Sequence, residues 1–373
     1  MLKCAKEGNA EALQELLKCP SMIQEAGIIV NSPLLKETPL HLAASAINNS
    51  NNKSDDDGVG ALRCVELLLT AAAAGVLDVN ARDVQGRTPL HIAVDAKDDG
   101  GSGASHHHQT SSDNDADECT SQKREERKRR RRNNQVLIVE ALINGGADIN
   151  ARDENGNSPL HHLANSDTGN PNVASALLAA GAYVEAQTCS RETPLHRAIQ
   201  RRHCGLLSVL LIEGHANPEA FNDSDGCTAV RPLHMAASLG CGNMCKALVK
   251  AGADINAQSR GTGATALHLA VQQGVDNAVR FLLTAGAFVD VKNQFGQTPL
   301  FRFAEGIPSW REVDPDNQTL RLLLERGADP TLACNEGVSP LATVSTFCMY
   351  QRQPYTTWHL LNHDVQKAVA LIC

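Results

Sequence analysis

A short phrase recurs along this 373-residue chain and limits what the chain can fold into. It reads TPLHLAAS at residues 38–45 and returns in altered form, with copies starting at residues 38, 88, 158, 193, 231, 265, 298 and 339. The shortest spacings between copies are about 33–35 residues, and the longer spacings indicate insertions into a unit of that size. A fixed period of this length predicts a solenoid, in which each repeat packs only on its neighbours.

Each copy of the phrase predicts the start of a short helix. The first residue is usually Thr or Ser, whose side-chain oxygen can accept hydrogen bonds from the amides of the first turn. Proline follows, at a position where its missing N–H costs no hydrogen bond. The predicted capping residues are Thr38, Thr88, Ser158, Thr193, Thr265, Thr298 and Ser339.

A second helix closes each unit and is predicted to end at a glycine in the left-handed conformation. Turns such as NARDVQGR (80–87) and NARDENGN (150–157) then lead into the next unit, with the Asp, Asn and Gly that a tight hairpin requires. The predicted terminal glycines are Gly146, Gly181, Gly214, Gly252, Gly286 and Gly327.

Helix, helix, glycine and hairpin in this order resemble the ankyrin repeat, whose pattern includes T-P-L-H-x-A. The resemblance covers almost the whole chain. It implies an all-α repeat solenoid of stacked helix-turn-helix units with short β-hairpin loops. We predict a single array over residues 1–373 with about nine units, the first and last being partial or capping units. Insertions are predicted at 46–60, 95–134 and 306–318.

Several units depart from the repeat pattern. Arg191 stands where the hairpin glycine is expected, which predicts a distorted tip before Thr193. The unit at Arg231 carries about three extra residues and lacks a hydroxyl cap, while Phe301 and Ala342 replace the histidine of the phrase. The array is therefore expected to be least regular near 220–232 and beyond 300.

Fourteen histidines raise the question of a metal or catalytic site. Six share one repeat phase, and the resemblance implies that each imidazole ties a helix start to the adjoining hairpin. Neighbouring copies would lie about 10 Å apart, too far to share a metal ion. Cys241 and Cys245 are predicted to be buried structural thiols, as are Cys204 and Cys227. With no CxxC spacing, phosphate loop or nucleophile–base–acid set, we predict no metal, no cofactor, no small-molecule substrate and no enzymatic activity.

The charge distribution is uneven. Residues 123–132, KREERKRRRR, hold eight of the 34 Lys and Arg and two of the 42 Asp and Glu, so the net charge of −8 becomes −14 without them. The acidic remainder argues against nucleic acid as a partner. Scattered cysteines, the lack of a secretory leader and the lack of an apolar run of about 20 residues predict a soluble chain without membrane insertion. A cytoplasmic location is predicted, with nuclear entry left open.

The insertion at 95–134 is predicted to be disordered, because its first part is rich in Gly, Ser, Asp and His. Its basic run has three interpretations, which all stay open at this point. It can be read by nuclear import receptors, it can meet another acidic partner, or it is a solvated linker whose arginines extend the helix beginning near Val136. The residues proposed for nuclear import are Lys123, Arg124, Arg127, Lys128, Arg129, Arg130, Arg131 and Arg132.

The resemblance also implies a protein partner, bound along the concave side by the hairpin tips and the exposed face of the first helix. Phe295 is the strongest single candidate, since aromatic residues are favoured as binding anchors; alternatively it packs against its neighbouring hairpin. The predicted tip residues are Val84, Gln85, Arg87, Glu154, Asn155, Asn157, Ser190, Glu192, Ser224, Asp225, Gln294, Phe295 and Gln297. The predicted helix-face residues are Asp95, Asn165, Gln200, Arg201, Gln272 and Gln273.

We therefore predict a non-catalytic interaction scaffold or adaptor. One alternative is a nuclear regulatory adaptor imported through residues 123–132. Another is that the chain is the ankyrin part of a larger, truncated enzyme or receptor. Ankyrin-like folds use one frame for unrelated ligands, so the sequence does not name the partner.

Overall fold

The fold is helical throughout the residues that the structure, a computed structural model, describes: 1–17, 36–46, 59–75, 77–95, 114–222, 230–274, 276–310 and 318–343. Short helices alternate with turns, as the repeated phrase predicts. In chain order the helices are α1 Leu2–Glu7, α2 Ala10–Leu17, α3 Pro39–Ser45, α4 Val59–Ala73, α5 Pro89–Val94, α6 Asn114–Asn144, α7 Pro159–Asn165, α8 Pro171–Ala179, α9 Pro194–Gln200, α10 Cys204–Ile212, α11 Pro232–Ser238, α12 Gly242–Lys250, α13 Ala266–Gln273, α14 Asp276–Thr284, α15 Pro299–Trp310 and α16 Gln318–Glu325.

Two compact bodies share these helices. Body one comprises Met1–Ala236 and Lys246–Ala253, and body two comprises Ala237–Cys245 and Asp254–Cys373. In body one, α1, α3, α5, α7 and α9 pack in succession as an inner layer, and α2, α4, α6, α8 and α10 form the outer layer. In body two, α13 packs on α15 and α14 packs on α16 in the same two-layer manner. The predicted all-α repeat solenoid is confirmed, while the single array of about nine units stays a prediction.

The core of each body is built mainly from leucine, alanine and valine, and body two adds Phe301 and Phe303. Leu90, Leu160 and Leu195 occupy one position of the inner layer and are at most 1% exposed. Leu142 and Leu177 play the same part in the outer layer and are fully buried. Each such leucine contributes about 1.5–3 kcal/mol by leaving water. Small alanines between these leucines let the two helix layers approach closely. Because the buried side chains are used in packing, the turns and exposed faces are the surfaces available for binding.

The helix-ending glycines adopt the left-handed conformation, with one exception. Gly146 and Gly252 have φ of 88° and 101°. The prediction for Gly214 is wrong, because His215 takes the left-handed position there with φ 50°. The turn is one residue longer: the Ala216 amide bonds the Leu210 carbonyl, six residues back, where the corresponding Ala147 amide reaches back five residues. Gly214 serves close packing instead, since a Cβ there would lie 2.8 Å from the Leu210 carbonyl oxygen.

The insertion at 95–134 is not disordered throughout. Helix α6 begins at Asn114, so the prediction is wrong for residues 114–134, while residues 96–113 lie outside the described part of the chain. Lys, Arg, Glu and Gln are good helix formers. Ion pairs one turn apart, Lys128–Glu125 at 3.5 Å and Arg130–Glu126 at 2.8 Å, support the helix. The interpretation that the arginines extend the following helix agrees with this geometry, although the helix begins well before Val136.

The other two insertions fall largely outside the described residues. Residues 47–58 and 311–317 lie there, while 59–60 belong to α4 and 306–310 to α15. Near 220–232, the Asn222 and Val230 backbones form an antiparallel bridge, and residues 223–229 between them are not described.

The predicted distortion at Arg191 is also absent. The Arg191 amide bonds the Thr188 carbonyl at 2.9 Å and the Thr188 amide bonds the Glu192 carbonyl at 3.0 Å, as in the turns that contain glycine. The departure appears in the backbone angle instead, because Arg191 is left-handed with φ 57°. For a residue with a side chain this conformation costs about 1–2 kcal/mol.

Candidate functional site

In the described part of the chain, four histidines each fasten their repeat to the next hairpin. Nε2 of His41 lies 3.0 Å from the Arg87 carbonyl oxygen, and Nε2 of His91 lies 3.1 Å from that of Asn157. His161 pairs with Glu192 and His268 with Gln297 in the same way. The role implied by the resemblance is therefore seen in both bodies.

The capping prediction needs a correction in these repeats. The Thr88 hydroxyl lies 2.9 Å from Nδ1 of His91, and the Thr88 amide donates to the same nitrogen at 3.1 Å. The histidine thus takes part in the cap that the hydroxyl alone was predicted to form. The predicted hydroxyl cap is present at Thr38, which accepts from the His41 amide at 3.4 Å. It is also present where the histidine is replaced: Thr298 accepts from the Phe301 amide at 3.2 Å, and Ser339 accepts from that of Ala342 at 3.2 Å.

This geometry fixes the protonation state of the imidazole. Because Nδ1 accepts the Thr88 amide hydrogen, the ring proton must lie on Nε2, where it is donated to a carbonyl. Burial lowers the pKa of His91 to about 4, with a further lowering from the neighbouring His162. Burial likewise lowers the pKa of His161 and His196 to about 4, and that of His41 in the same direction. These rings are structural and neutral.

His196 does not make the hydrogen bond to the next hairpin that the other four histidines make. Its Nε2 is buried without a partner at hydrogen-bond distance, although the carbonyls of Ala220 and Val230 lie near enough to raise its pKa against the larger effect of burial. The unit that follows His196 is the one with the extra residues.

Hairpin tips form a backbone ladder that could support a binding surface. In body one, the Glu154 amide bonds the Gln85 carbonyl at 3.1 Å, and the Cys189 amide bonds that of Asn155 at 3.1 Å. In body two, the Gln294 amide bonds the Thr262 carbonyl and the Asn335 amide bonds that of Phe295, both at 3.0 Å. The tip side chains are thus carried on turns fixed from both sides.

The structure divides the predicted tip and helix-face residues into two groups. Some side chains are turned to solvent; these exposed residues are Val84, Gln85, Glu154, Asn155, Gln294, Phe295, Asn165, Gln200, Arg201, Gln272 and Gln273. The others are half-buried; these are Arg87, Asp95, Asn157, Ser190, Glu192 and Gln297. Ser224 and Asp225 lie outside the described residues. A part in partner binding stays a prediction for all of them.

The half-buried group is occupied within the fold. Arg87 pairs with Asp83 at 2.7 Å, and Asn157 donates to Asp153 at 2.9 Å. Glu192 pairs with Arg197 at 2.5 Å and accepts from Gln200 at 2.8 Å. Sequence reasoning placed them on the binding surface because they sit next to the tips, whereas their hydrogen bonds stabilise the turns.

Phe295 is 57% exposed. Its backbone is held by the side chain of Asn293, which accepts its amide hydrogen at 2.9 Å, and by the next hairpin. The alternative that the ring packs on the neighbouring hairpin accounts for less than half of its surface. An exposed aromatic ring on a fixed turn is well suited to act as an anchor.

Sequence reasoning missed several exposed side chains. Cys189 lies at a hairpin tip and Cys204 at the start of α10, and both are exposed, so the prediction of a buried thiol is wrong for Cys204. Burial does raise the pKa of Cys245, to about 12. Tyr183 and Phe288 are exposed just after an outer helix, where most other repeats have Asp or Asn. That mismatch with the repeat pattern could have revealed them.

Two properties concern all described residues together. None of the helices in the described ranges is both long enough and apolar enough to cross a membrane. Within the same ranges, His, Cys, Asp and Glu side chains form no group of three or more that could hold a metal ion.

Comparison with known proteins agrees with this architecture. A model of the family described as "Ankyrin repeats (3 copies)" matches residues 1–100, 131–222, 163–259, 216–293 and 233–334, well over half of the chain. Putative ankyrin repeat protein FPV014 of Fowlpox virus (strain NVSL) is 34% identical over 117 residues, covering 31% of this chain and 25% of that protein. Nuclear factor NF-kappa-B p105 subunit of Gallus gallus is 36% identical over 152 residues, covering 31% and 15%.

Neurogenic locus notch homolog protein 1 of Xenopus tropicalis is 32% identical over 153 residues, covering 40% of this chain and 6% of that protein. The chain thus spans a quarter or less of the length of these curated relatives.

Two solved structures are similar. The ankyrin repeat domain of Bcl-3, "a unique member of the IkappaB protein family", aligns with a TM-score of 0.50 at 25% identity, covering 71% of this chain and 92% of that one. The human ASB11 ankyrin repeat domain, at 20% identity, aligns with a TM-score of 0.52 over 79% and 100%, and shows the fold alone. By the family match over most of its length, this chain belongs to the ankyrin-repeat family.

Proposed function

We propose that this chain is a non-catalytic scaffold that binds a protein partner with its exposed hairpin tips and the adjacent inner-helix faces. Ankyrin repeats are known for protein–protein interaction, and solenoids of this kind offer extended binding surfaces. The observation that carries the proposal is the exposure of apolar side chains on fixed turns: Phe295 in body two, and Val84, 46% exposed, in body one.

Rigid turns favour binding because little freedom remains to be lost. A loop that becomes ordered on association loses about 0.5–1.5 kcal/mol for each immobilised side chain. Here the Asn335–Phe295 and Glu154–Gln85 backbone bonds already fix the tips. A partner therefore meets a surface that is largely in its bound conformation.

The exposed side chains also indicate the chemistry of the partner. Gln294 is exposed on the same tip as Phe295, and Gln272 and Gln273 are exposed on α13 of the same body; all three are uncharged. Glutamines donate and accept hydrogen bonds, so they suit a polar peptide or domain that places one apolar group on Phe295. The tips of body one expose one acidic residue, Glu154, and one basic residue, Arg191, so they also suit a polar partner without a strong net charge.

Two phenylalanines in body two provide a matched test. Phe295 lies at a hairpin tip, while Phe288, 65% exposed, follows the outer helix α14. We expect Phe295→Ala to weaken partner binding at least about tenfold, as truncation of an aromatic anchor does, and Phe288→Ala to change it less than about twofold. The measurement is affinity purification of each tagged full-length variant from its own cell type with quantitative mass spectrometry, followed by titration of the recovered partner.

A second set of variants addresses body one. Val84→Ala combined with Gln85→Ala and Asn155→Ala removes exposed tip side chains without touching the ladder bonds, which are made by the backbone. If a partner is lost with Phe288→Ala as readily as with either tip variant, the binding surface lies elsewhere and the proposal is wrong.

Nuclear entry is a second candidate function, favoured by the exposure of the basic run. Arg127, Arg129, Arg130 and Arg132 are exposed along α6, where an acidic import receptor could reach them. We expect a fluorescent fusion of the full chain to accumulate in the nucleus and a variant with these four arginines changed to Gln to stay in the cytoplasm. Equal distribution of the two proteins would contradict import through this run.

The remaining alternative concerns a longer protein. The curated relatives extend far beyond their matched segments, so the chain as the ankyrin part of a larger enzyme or receptor stays a proposal. A transcript that continues upstream of Met1 or beyond Cys373 would support it.

A further inference from the structure

Residues 123–132 of helix α6 carry exposed positive charges that point in several directions around the helix axis. Residues 123–132 carry eight basic and two acidic side chains and lie wholly within the helix. Successive residues in a helix are rotated by about 100°, so Arg127, Arg129, Arg130 and Arg132 point in four directions around the axis. All four are exposed. The sequence shows a basic run, and the helix turns it into a positively charged cylinder about 15 Å long.

The arrangement of these basic side chains around the helix limits which classes of ligand can bind them. An anionic membrane surface also attracts basic residues, but it would contact only one side of a helix that has no apolar face to insert. An acidic protein surface would meet one side of the helix and leave the opposite arginines unused. The major groove of B-form DNA is about 12 Å wide, close to the diameter of a helix, and has phosphates along both walls. Arginines that point in different directions around the helix can therefore contact phosphates on both walls of the groove.

Charge density and donor geometry agree with this ligand. Double-stranded DNA presents about one negative charge per 1.7 Å of axis, so 15 Å of duplex carries roughly nine phosphates. Six of the eight basic residues are arginines, whose guanidinium groups can donate two parallel hydrogen bonds to one phosphate. Duplex RNA fits less well, because its major groove is deep and narrow.

A second basic element lies on the same edge of body one. Asn170 donates to the Arg132 carbonyl at 3.2 Å, and Nε2 of His203 lies 2.7 Å from the Ser166 carbonyl. Because of these two bonds, the turn that contains Arg201 and Arg202 lies on the same edge as Arg132, two repeats further along the stack. Both arginines are exposed; Arg201 also donates to Asn165, and Asp167 is the exposed acidic residue between them and α6.

The backbone of Arg202 supports a role for its charge. It is left-handed with φ 60°, at the inter-helix turn where other repeats place glycine, as at Gly8, Gly240 and Gly274 with φ of 66°, 70° and 65°. A side chain in this conformation is strained. The arginine is therefore present at the expense of local stability.

We propose that the basic segment of α6, residues 123–132, binds duplex DNA in the major groove, with Arg201 and Arg202 contacting the phosphate backbone beside it. The rest of the molecule is acidic, which argues against binding of nucleic acid elsewhere. Repulsion from these acidic faces would also direct a DNA duplex toward this edge. The hairpin tips, where a protein partner is proposed to bind, lie at the other end of the inner helices from these turns. Arg201, also predicted on the helix face, is shared by the two surfaces.

The test is fluorescence anisotropy of the full-length protein with a DNA duplex of about 20 base pairs, from roughly 50 to 200 mM salt. Arg→Gln at 127, 129, 130 and 132 should weaken binding at least about tenfold and reduce the salt slope by about 3–4, since each phosphate contact contributes about 0.9. A control with the same change in charge, Arg63→Gln, Lys246→Gln, Arg280→Gln and Arg321→Gln at exposed positions outside this edge, should stay within about threefold.

Arg202→Gly separates binding from folding. It removes a charge and relieves the left-handed strain, so we expect DNA affinity to fall about two- to fivefold while the melting temperature stays equal or rises. The proposal is overturned if the α6 variant binds DNA as the wild type does, or if the control variant loses as much. It is also overturned if polyglutamate or duplex RNA competes as well as DNA, which would identify a general site for acidic partners.

Discussion

Body one should lose up to roughly 4 kcal/mol of unfolding free energy per pH unit in the middle of the range from pH 6.5 to pH 4. The cause is the set of buried histidines at the helix starts, His91, His161 and His196, each with a pKa lowered to about 4 by burial. One group that differs between folded and unfolded states contributes up to roughly 1.4 kcal/mol per pH unit, and three act together here.

The sign follows from which state binds protons. Above pH 6.5 the histidines are neutral in both states, so the folded chain keeps the full stability of its hydrogen bonds. Below that pH the unfolded chain binds protons while the buried rings stay neutral until about pH 4, so acid favours unfolding. Protonation of Nδ1 would also break the bond that it accepts from the Thr88 amide, while the Thr88 hydroxyl can still accept a hydrogen bond from Nδ1.

Urea titrations at about pH 7, 6 and 5 measure this slope, with pulsed hydrogen exchange on peptides from α5, α7 and α9 reporting on body one. His91→Gln is the control: whatever its effect on stability at neutral pH, it should reduce the slope by roughly 1.4 kcal/mol per pH unit. A stability that is flat from pH 7 to pH 5 would show that the rings are not held neutral.

Carboxylates act in a different pH range. Burial would raise the pKa of Asp83, but the hydrogen bonds from Arg87 outweigh it and lower the pKa, and those from Asn157 and His162 lower the pKa of Asp153. The stability that they contribute is lost only as the pH falls below their ordinary value of 3.8. The loss between pH 6.5 and 4 is therefore assigned to the histidines.

The second large effect is expected at the turn below Phe295. Gly296 and Gly337 are both left-handed, with φ of 72° and 78°, so alanine is strained at either position. They differ in their surroundings: a Cβ on Gly296 would lie 2.7 Å from the Asn335 backbone nitrogen, whereas one on Gly337 meets nothing within 4 Å. We expect Gly337→Ala to cost about 1 kcal/mol and Gly296→Ala about 3 kcal/mol.

The difference between the two variants isolates the contact between hairpins. An alanine at 296 must push Asn335 away and break its amide bond to the Phe295 carbonyl, which carries the backbone ladder in body two. Thermal or urea unfolding of both variants measures the two costs. Equal destabilisation would mean that the hairpins separate easily and that the tip is less rigid than its bonds indicate.

Much of the local structure could be predicted from the sequence. The helix starts, the left-handed Gly146 and Gly252 and the buried leucines follow from short-range sterics and from a hydrophobic pattern repeated many times. The left-handed conformation predicted for Gly214 was wrong because the extra residue in this turn is not evident from the repeat pattern. Only the backbone angles show that His215 occupies the left-handed position. Disorder was predicted for 114–134 from the Gly, Ser, Asp and His content of the insertion, but the Lys, Arg, Glu and Gln of this part favour a helix.

The candidate surface was less predictable. Phe295 and Gln85 were placed at tips by the hairpin pattern, and their exposure agrees. Arg87 and Glu192 were assigned to the same surface, but their side chains are engaged with Asp83 and Arg197. Sequence spacing says which residues are near a tip and does not say which hydrogen bonds they make.

The sequence by itself determined the repeat unit, because a 33-residue period with Thr-Pro-Leu-His and a terminal glycine leaves the backbone few other conformations. It also determined that the core is made of leucine and alanine. The tertiary structure alone decided which side chains remain available to a partner, and that Arg132 and Arg202 lie on one edge of body one. Both depend on bonds between repeats, formed by residues about 30 or more positions apart, and such bonds exist only once the helices are stacked.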